Sequence, residues 1–231
     1  MLRSFHLICA MALMLPFAAP AARAQGAADP TLFVIRYIEA TPEARTRVPA
    51  LLKQLAQESR KEAGVVRFEI LQRTAPSSQF ATLEVWKDQQ ALDAHMASAH
   101  NKQFVDQVQP LLLAPIDERL CIAADVSPPP TGRQPRGTRY VITHVDVGPP
   151  NRDATIPMLK MMAQESRKDD GNLRFDALQQ KARTNHFKLV EVWRNAKADE
   201  AHEATAHMKE FRAKLAPLIG ALFDRRWYRP L

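Results

Sequence analysis

Two sets of side chains recur in this chain at one fixed spacing, and their types can move protons. Glu84 and Trp86 stand two residues apart in the run FATLEVWK (residues 80–87), with His95 and His100 following; Glu191, Trp193, His202 and His207 repeat them 107 positions later. A carboxylate between Leu83 and Val85 is costly to bury unless it is paired. It therefore serves either as a structural ion pair or hydrogen bond to the following helix, or as the polar wall of a pocket, where burial would raise its pKa and suit it to proton transfer. An imidazole titrates near neutrality without help, so Glu84, His95, Glu191 and His202 are the candidate catalytic residues. A metal reading of the histidines meets a geometric objection. On a continuous helix five residues advance the direction by about 500°, leaving the two rings roughly 140° apart. A zinc-binding pair on one helix face wants a spacing of four, so no metal is expected. His100 and His207 fall near a helix end, where they either cap carbonyls or line a pocket. Trp86 and Trp193 share a strand face with the two glutamates and are either core or an aromatic wall for a planar ligand. Arg67 and Arg174 are candidates to pair with the carboxylates, and they complete the set of candidate binding residues with Trp86, His100, Trp193 and His207.

The elements that must hold these residues repeat as well. Residues 56–104 align with 163–211 without a gap, and the same shift matches Phe33-Val34-Ile35 to Tyr140-Val141-Ile142 and Arg119 to Arg226. Units of about a hundred residues are too long for a solenoid and suit two small domains. In the first, a β-rich run at 32–38 is followed by helical periodicity over 43–62 (Val48, Leu51, Leu52, Leu55). Gly64 then stands where a C′ glycine would end that helix. Alternating strands follow at 65–72 and 79–87, then a helix at 88–99, a third helical stretch or its continuation at 101–113, and a last strand at 116–123. The order β-α-β-β-α-β is the ferredoxin-like pattern, an α+β class. The Pro-rich stretch 124–138 reads as a linker. The cycle then runs again, with strands at 139–147, 172–179, 186–194 and 222–229 and helices at 153–169 and from 196. Both faces of the strand at 79–87 look buried, since Ala81, Leu83 and Val85 are apolar on one side and Phe80 and Trp86 lie on the other. The partner unit's sheet is the natural cover, which predicts a barrel-like pseudo-dimer within one chain.

These residues resemble the antibiotic biosynthesis monooxygenase (ABM) family: E-x-G after a helix, an R-F strand, F-x-x-x-E-V-W, then A-x-x-x-H-x-x-x-x-H before a Phe. The likeness spans 32–122 and again 139–229. It departs at Ala63 and Asp170, where the family's usual residue before the glycine is Pro. The resemblance implies a dimeric α+β barrel, here built from two ferredoxin-like domains at 30–123 and 139–231. It further implies oxygenation of a quinol or other electron-rich aromatic by molecular oxygen, with no cofactor. The alternatives are a non-catalytic small-molecule binder or stress-associated protein of the same fold, and a haem binder using one histidine.

The remaining composition narrows the setting. Residues 1–24 carry Arg3, a short apolar core from Leu7 to Phe17 and an Ala-x-Ala ending, the pattern of a secretory signal peptide. Export to the periplasm or beyond is therefore expected, and no stable membrane span, because no run nears the roughly 20 apolar residues a spanning helix needs. Loss of that leader removes Arg3 and Arg23 and lowers the formal charge from +7 to +5. The remaining bases are interleaved with acids (ESRKE, ESRKDD), which argues against a nucleic-acid partner. Cys121 would then be the one remaining cysteine, unable to form an internal disulfide and best read as a small buried hydrophobe.

Overall fold

The structure, a computed structural model, describes residues 31–128 and 134–231. The expected leader and the middle of the linker lie outside the described residues. The first half runs β1 (Leu32–Glu39), α1 (Val48–Ser59), β2 (Val65–Arg73), β3 (Gln79–Trp86), α2 (Gln89–Ala97), α3 (Ala99–Val108) and β4 (Asp117–Asp125). The second runs β5 (Arg139–Val147), α4 (Arg152–Ser166), β6 (Asn172–Gln180), β7 (His186–Trp193), α5 (Ala196–Glu203), α6 (Ala206–Leu215) and β8 (Ile219–Pro230). No helix among the described residues is long and apolar enough to cross a membrane.

The eight strands close into one barrel in the order β1-β3-β2-β8-β5-β7-β6-β4. Closure comes from the last strand of each half. β4 pairs with β1 of its own half and, through Cys121↔Gln180 and Ala123↔Leu178, with β6 of the other. β8 pairs with β5 and, through Leu71↔Pro230 and Arg73↔Tyr228, with β2. The two sheets therefore do more than cover each other. They share their edges, which removes the unpaired backbone an open sheet would present.

Period-two alternation sorts the strand residues into two environments. Leu32, Val34, Phe68, Phe80 and Trp86 pack outward against Leu52, Leu55 and Phe104 of the first half's helices. Val141, Phe175, Phe187 and Trp193 do the same against Leu159, Met162 and Phe211. Phe33, Ile35, Leu83, Cys121, Tyr140, Val190 and Tyr228 fill the barrel interior. Burial pushes the Cys121 thiol up to about 12, as suits an inert core thiol.

Helix α1 is shorter than its periodicity predicts. A 3-10 turn occupies Pro42–Thr46, and α1 ends at Ser59, whose hydroxyl donates back to the Leu55 carbonyl at 2.9 Å. Gly64 does not cap it. The glycine instead enters β2 at φ +98°, and a Cβ there would stand 2.8 Å from the Ala91 Cβ of α2. Gly171 (φ +81°) meets Ala198 in the same way at 2.7 Å. Only glycine combines that backbone conformation with so close a helix.

Candidate active site

The expected continuous helix through the histidine pair is broken. Ser98 takes an extended ψ of 150° and caps α3, its Oγ accepting from Asn101 N at 3.2 Å; Thr205 does the same for α6, accepting from Met208 N at 3.3 Å. Ser and Thr compete with helix interiors and favour this capping position. The break places His95 in the last turn of α2 and His100 in the first turn of α3, so the two rings converge. Both meet Glu62, in the turn after α1: His95 Nδ1 lies 2.9 Å from Glu62 Oε1, and His100 Nε2 contacts the same oxygen. In the second half His202 Nδ1 and His207 Nε2 lie 2.7 and 3.2 Å from Asp169 Oδ2. His100 and His207 thus bind a carboxylate rather than cap helix-end carbonyls, and the 140° separation does not hold. Each trio's ligand atoms lie within 4.8 Å of one another, so their donor sets could take a divalent ion, as could those of His144, Asp146 and His186 on β5 and β7.

Inward from Glu62, the His95 ring stacks on Trp86 with centroids 4.6 Å apart and planes at 29°. Its Nε2 has no hydrogen-bond partner among the described residues and stands 3.9 Å from Glu84 Oε2. That oxygen accepts from Trp86 Nε1 at 3.1 Å, while Oε1 accepts from the Thr82 hydroxyl at 2.7 Å. The second half repeats the stack of His202 on Trp193, and Trp193 Nε1 donates to Glu191 Oε2 at 2.9 Å. Glu84 and His95 are 1% and 0% exposed, whereas the Glu62 and His100 side chains retain 18% and 25%. The first half therefore holds an acid–His–Glu line running from a partly exposed rim to a closed interior, and the second half matches it with the Asp169–His202 pair and Glu191 joined through Trp193. Burial lowers the His95 pKa, partly opposed by Glu84 and Glu62; burial raises the Glu191 carboxyl, with Arg225 and His202 opposing. A neutral imidazole between two carboxyl groups can pass a proton from one to the other once the 3.9 Å gap to Glu84 closes to hydrogen-bond length.

The two glutamates are neutralised from different strands. Arg36 on β1 places Nε 3.5 Å from Glu84 Oε1 and donates to Glu118 Oε2 on β4 at 2.9 Å. The equivalents are Thr143 on β5 and Arg225 on β8, and Arg225 Nη2 donates to Glu191 Oε2 at 3.1 Å. Cross-strand register explains the exchange, since Arg36↔Glu118 and Thr143↔Arg225 are direct neighbours. The arginine has changed strand while staying beside its carboxylate.

Arg67 and Arg174 do not pair with Glu84 or Glu191. They point into the barrel, on the opposite sheet face, and meet Glu69 and Asp176. Arg174 Nη2 donates to Glu69 Oε2 at 2.9 Å, and the Tyr140 hydroxyl donates to Glu69 Oε1 at 2.9 Å. Arg67 also lines a cavity of about 450 Å³ at this barrel mouth, beside Phe33, Val66, Val85 and Ile122. For Glu62 and Asp169 the sequence carries one signal, an acid retained at the same shift. Arg36 and Arg225 had none, because their partnership depends on register.

The pattern of the antibiotic biosynthesis monooxygenase family matches residues 31–107 and again 138–214, more than half of the chain. A Bacillus subtilis protein named "Putative monooxygenase YcnE" is 35% identical over 81 residues, covering 35% of this chain and 85% of that protein. A crystal structure of a "Putative monooxygenase" from Fusobacterium nucleatum superposes with TM-score 0.80 at 16% identity over 88% of this chain and 93% of that one. Another, from Lactobacillus acidophilus, gives TM-score 0.72 at 17% identity, covering 87% and 94%; at these identities the likeness concerns the fold. The chain belongs to the antibiotic biosynthesis monooxygenase family, with two copies of its domain.

Proposed function

We propose that this chain, a tandem member of that family, is an exported monooxygenase that oxidises a small quinol or similarly electron-rich aromatic with O2 and without a resident metal or flavin. The observation that carries this is an acid–His pair set beside a buried glutamate, built twice: Glu62–His95 with Glu84, and Asp169–His202 with Glu191 through Trp193. Deprotonating a quinol hydroxyl makes the ring a strong enough reductant to activate O2 itself. The ring supplies all four electrons: one oxygen atom enters it, the product leaves as a hydroxyquinone, and the other oxygen atom leaves as water. The chain would supply the proton acceptor and a dry surrounding. The substrate hydroxyl would meet the line at its rim, where Glu62 and His100 remain partly exposed. The leader at 1–24, units at 30–123 and 139–231 and linker at 124–138 are part of the same proposal.

A second reading is favoured by one observation: Glu84 and Glu191 are each closed off by an arginine and buried. In that case the fold binds a small molecule without turning it over. Oxygen uptake by chelator-treated protein over a quinol panel separates the two. Uptake above the buffer rate supports the oxygenase, and thermal stabilisation by a quinol with no uptake at any concentration supports the binder.

A further inference from the structure

The two rim clusters have the composition of a metal site, and the breaks at Ser98 and Thr205 remove the spacing objection to one. Each joins a carboxylate to two imidazoles: Glu62 with His95 and His100, Asp169 with His202 and His207. In each, the three ligand atoms lie within 4.8 Å of one another. Ligands about 2.0–2.1 Å from a tetrahedral ion stand about 3.3 Å apart. His95 Nδ1 is 2.9 Å from Glu62 Oε1, and Asp169 Oδ2 is 2.7 and 3.2 Å from its two rings. The far side of each ring points the same way. A neutral His95 that donates through Nδ1 to Glu62 turns the Nε2 lone pair toward Glu84 Oε2, 3.9 Å away. That nitrogen has no hydrogen-bond partner among the described residues, in a fully buried ring, and His202 Nε2 has none either. A metal on Nδ1 moves the ring proton to Nε2, where in the first half it faces Glu84. A carboxylate behind a ligating imidazole is the usual support of a metal site. The cluster of His144, Asp146 and His186 lacks that support. Behind His144 stands the buried Lys188, which replaces Ala81 of the first half, its Nζ 2.5 Å from His144 Nδ1. A lysine donating there leaves the His144 proton on Nε2, the atom that faces His186 at 3.4 Å, and so occupies the ligand.

We propose that each rim cluster is an exchangeable site for a divalent transition ion such as Zn2+. Glu62, His95 Nδ1 and His100 Nε2 hold it in the first half, and Asp169, His202 Nδ1 and His207 Nε2 in the second. Two imidazoles and a carboxylate suit Zn2+ and Co2+, whereas Mg2+ and Ca2+ prefer oxygen shells. Three protein ligands leave a fourth position for water. The Glu62 and His100 side chains keep 18% and 25% of their exposure, which lets an ion enter and leave from solvent. The site goes beyond the oxygenase reading and stands without it. An ion there takes the Glu62 oxygen that the proposed reaction needs as proton acceptor, so it competes with that reaction and is not its cofactor.

The test titrates the untagged, chelator-stripped full chain with Zn2+ by calorimetry, with Co2+ as an absorbing substitute. Two ions per chain are expected at the rims, Co2+ giving the visible bands of a four-coordinate site, and Mg2+ should bind at least a hundredfold more weakly. Glu62→Gln should lose one ion, and Glu62→Gln with Asp169→Asn should lose both. Histidine 15N spectra of the wild-type chain keep the test open if a variant folds poorly. Zn2+ should shift His95 and His202 to the form bound at Nδ1 and protonated at Nε2. Absence of Zn2+ binding would overturn the proposal, as would unchanged stoichiometry in the folded double variant. Spectra in which Zn2+ moves only His144 and His186 would also overturn it, placing the ion between β5 and β7.

Discussion

His95 lies flat on Trp86, and His202 lies on Trp193 with the same centroid distance of 4.6 Å and the same 29° tilt. Each tryptophan also donates its indole N–H to the glutamate two residues before it. The indole therefore fixes two proton-handling groups at once: the imidazole by its face and the carboxylate by its edge. Such stacking is worth about 0.5–1.5 kcal/mol beyond the area it buries.

If the line from Glu62 to Glu84 moves the substrate proton, Glu62→Gln together with Asp169→Asn should lower quinol-dependent oxygen uptake at least tenfold. The amides keep the shape and remove the charge that accepts the substrate proton at the rim. Thermal unfolding should change by only about 1–2 kcal/mol, the usual scale for one altered hydrogen bond per site. Unchanged uptake in a folded double variant would remove the line from the mechanism.

The arginine exchange invites a rebuilding experiment. Arg36→Thr leaves Glu84 buried without its cation and should destabilise the protein by about 3–5 kcal/mol. Adding Glu118→Arg recreates in the first half the arrangement that Thr143 and Arg225 form in the second. Chemical denaturation should show the double variant recovering more than half of the loss. If the double variant is no better than Arg36→Thr alone, the two arginines are not interchangeable.

Gly64→Ala and Gly171→Ala should each cost about 2–4 kcal/mol. Both join a positive φ to a Cβ that would press on the Ala91 methyl of α2 or the Ala198 methyl of α5, at 2.8 and 2.7 Å. By contrast Gly137, at φ +84° with nothing within 4 Å, should lose only about 1 kcal/mol on the same change. Urea midpoints for the three variants give the comparison directly.

Lys188 ties stability to pH in a definite direction. Its folded pKa of about 7 lies below the ordinary 10.5. Between these values the unfolded chain holds a proton that the folded chain has shed. Stability must then rise with pH across that window and be fully present only above it. Lys188→Met should flatten this slope and stabilise the protein at pH 7 by about 1–3 kcal/mol. Denaturation curves at pH 7 and pH 10 for both proteins test it, and an equal slope in the two would refute the assignment.

Much of this architecture is legible in one dimension. Repeat, alternation and helical periodicity are local signals, so the two ferredoxin-like units and their buried double-faced strands could be read directly, as could the grouping of Glu84 with Trp86. Helix continuity was the weak point. Ser98 and Thr205 carry the capping chemistry that breaks the helix, but the residue type alone does not separate a cap from an exposed position inside a continuous helix. Correcting that one joint brings His100 and Glu62 together. Arg36, Arg225 and Lys188 lie beyond local reading for another reason: their neighbours come from strands distant in sequence, and only register and closure decide who meets whom. Arg67 and Arg174 show the same limit, since one step of alternation carried them to the far face of the sheet.

Closure of the barrel within a single chain has a consequence for how its interior can diverge. In a pair of identical subunits every substitution enters twice, related by the twofold axis. A lysine at the position of Ala81 and Lys188 would then face its own image across a closed interior, with two buried ammonium groups repelling each other. Joining the halves covalently lets one side acquire the amine while the other keeps a methyl group. The same freedom let the interior position of Tyr37 in one half become His144 in the other. Duplication in this chain supplies two versions of one scaffold, free to become unlike.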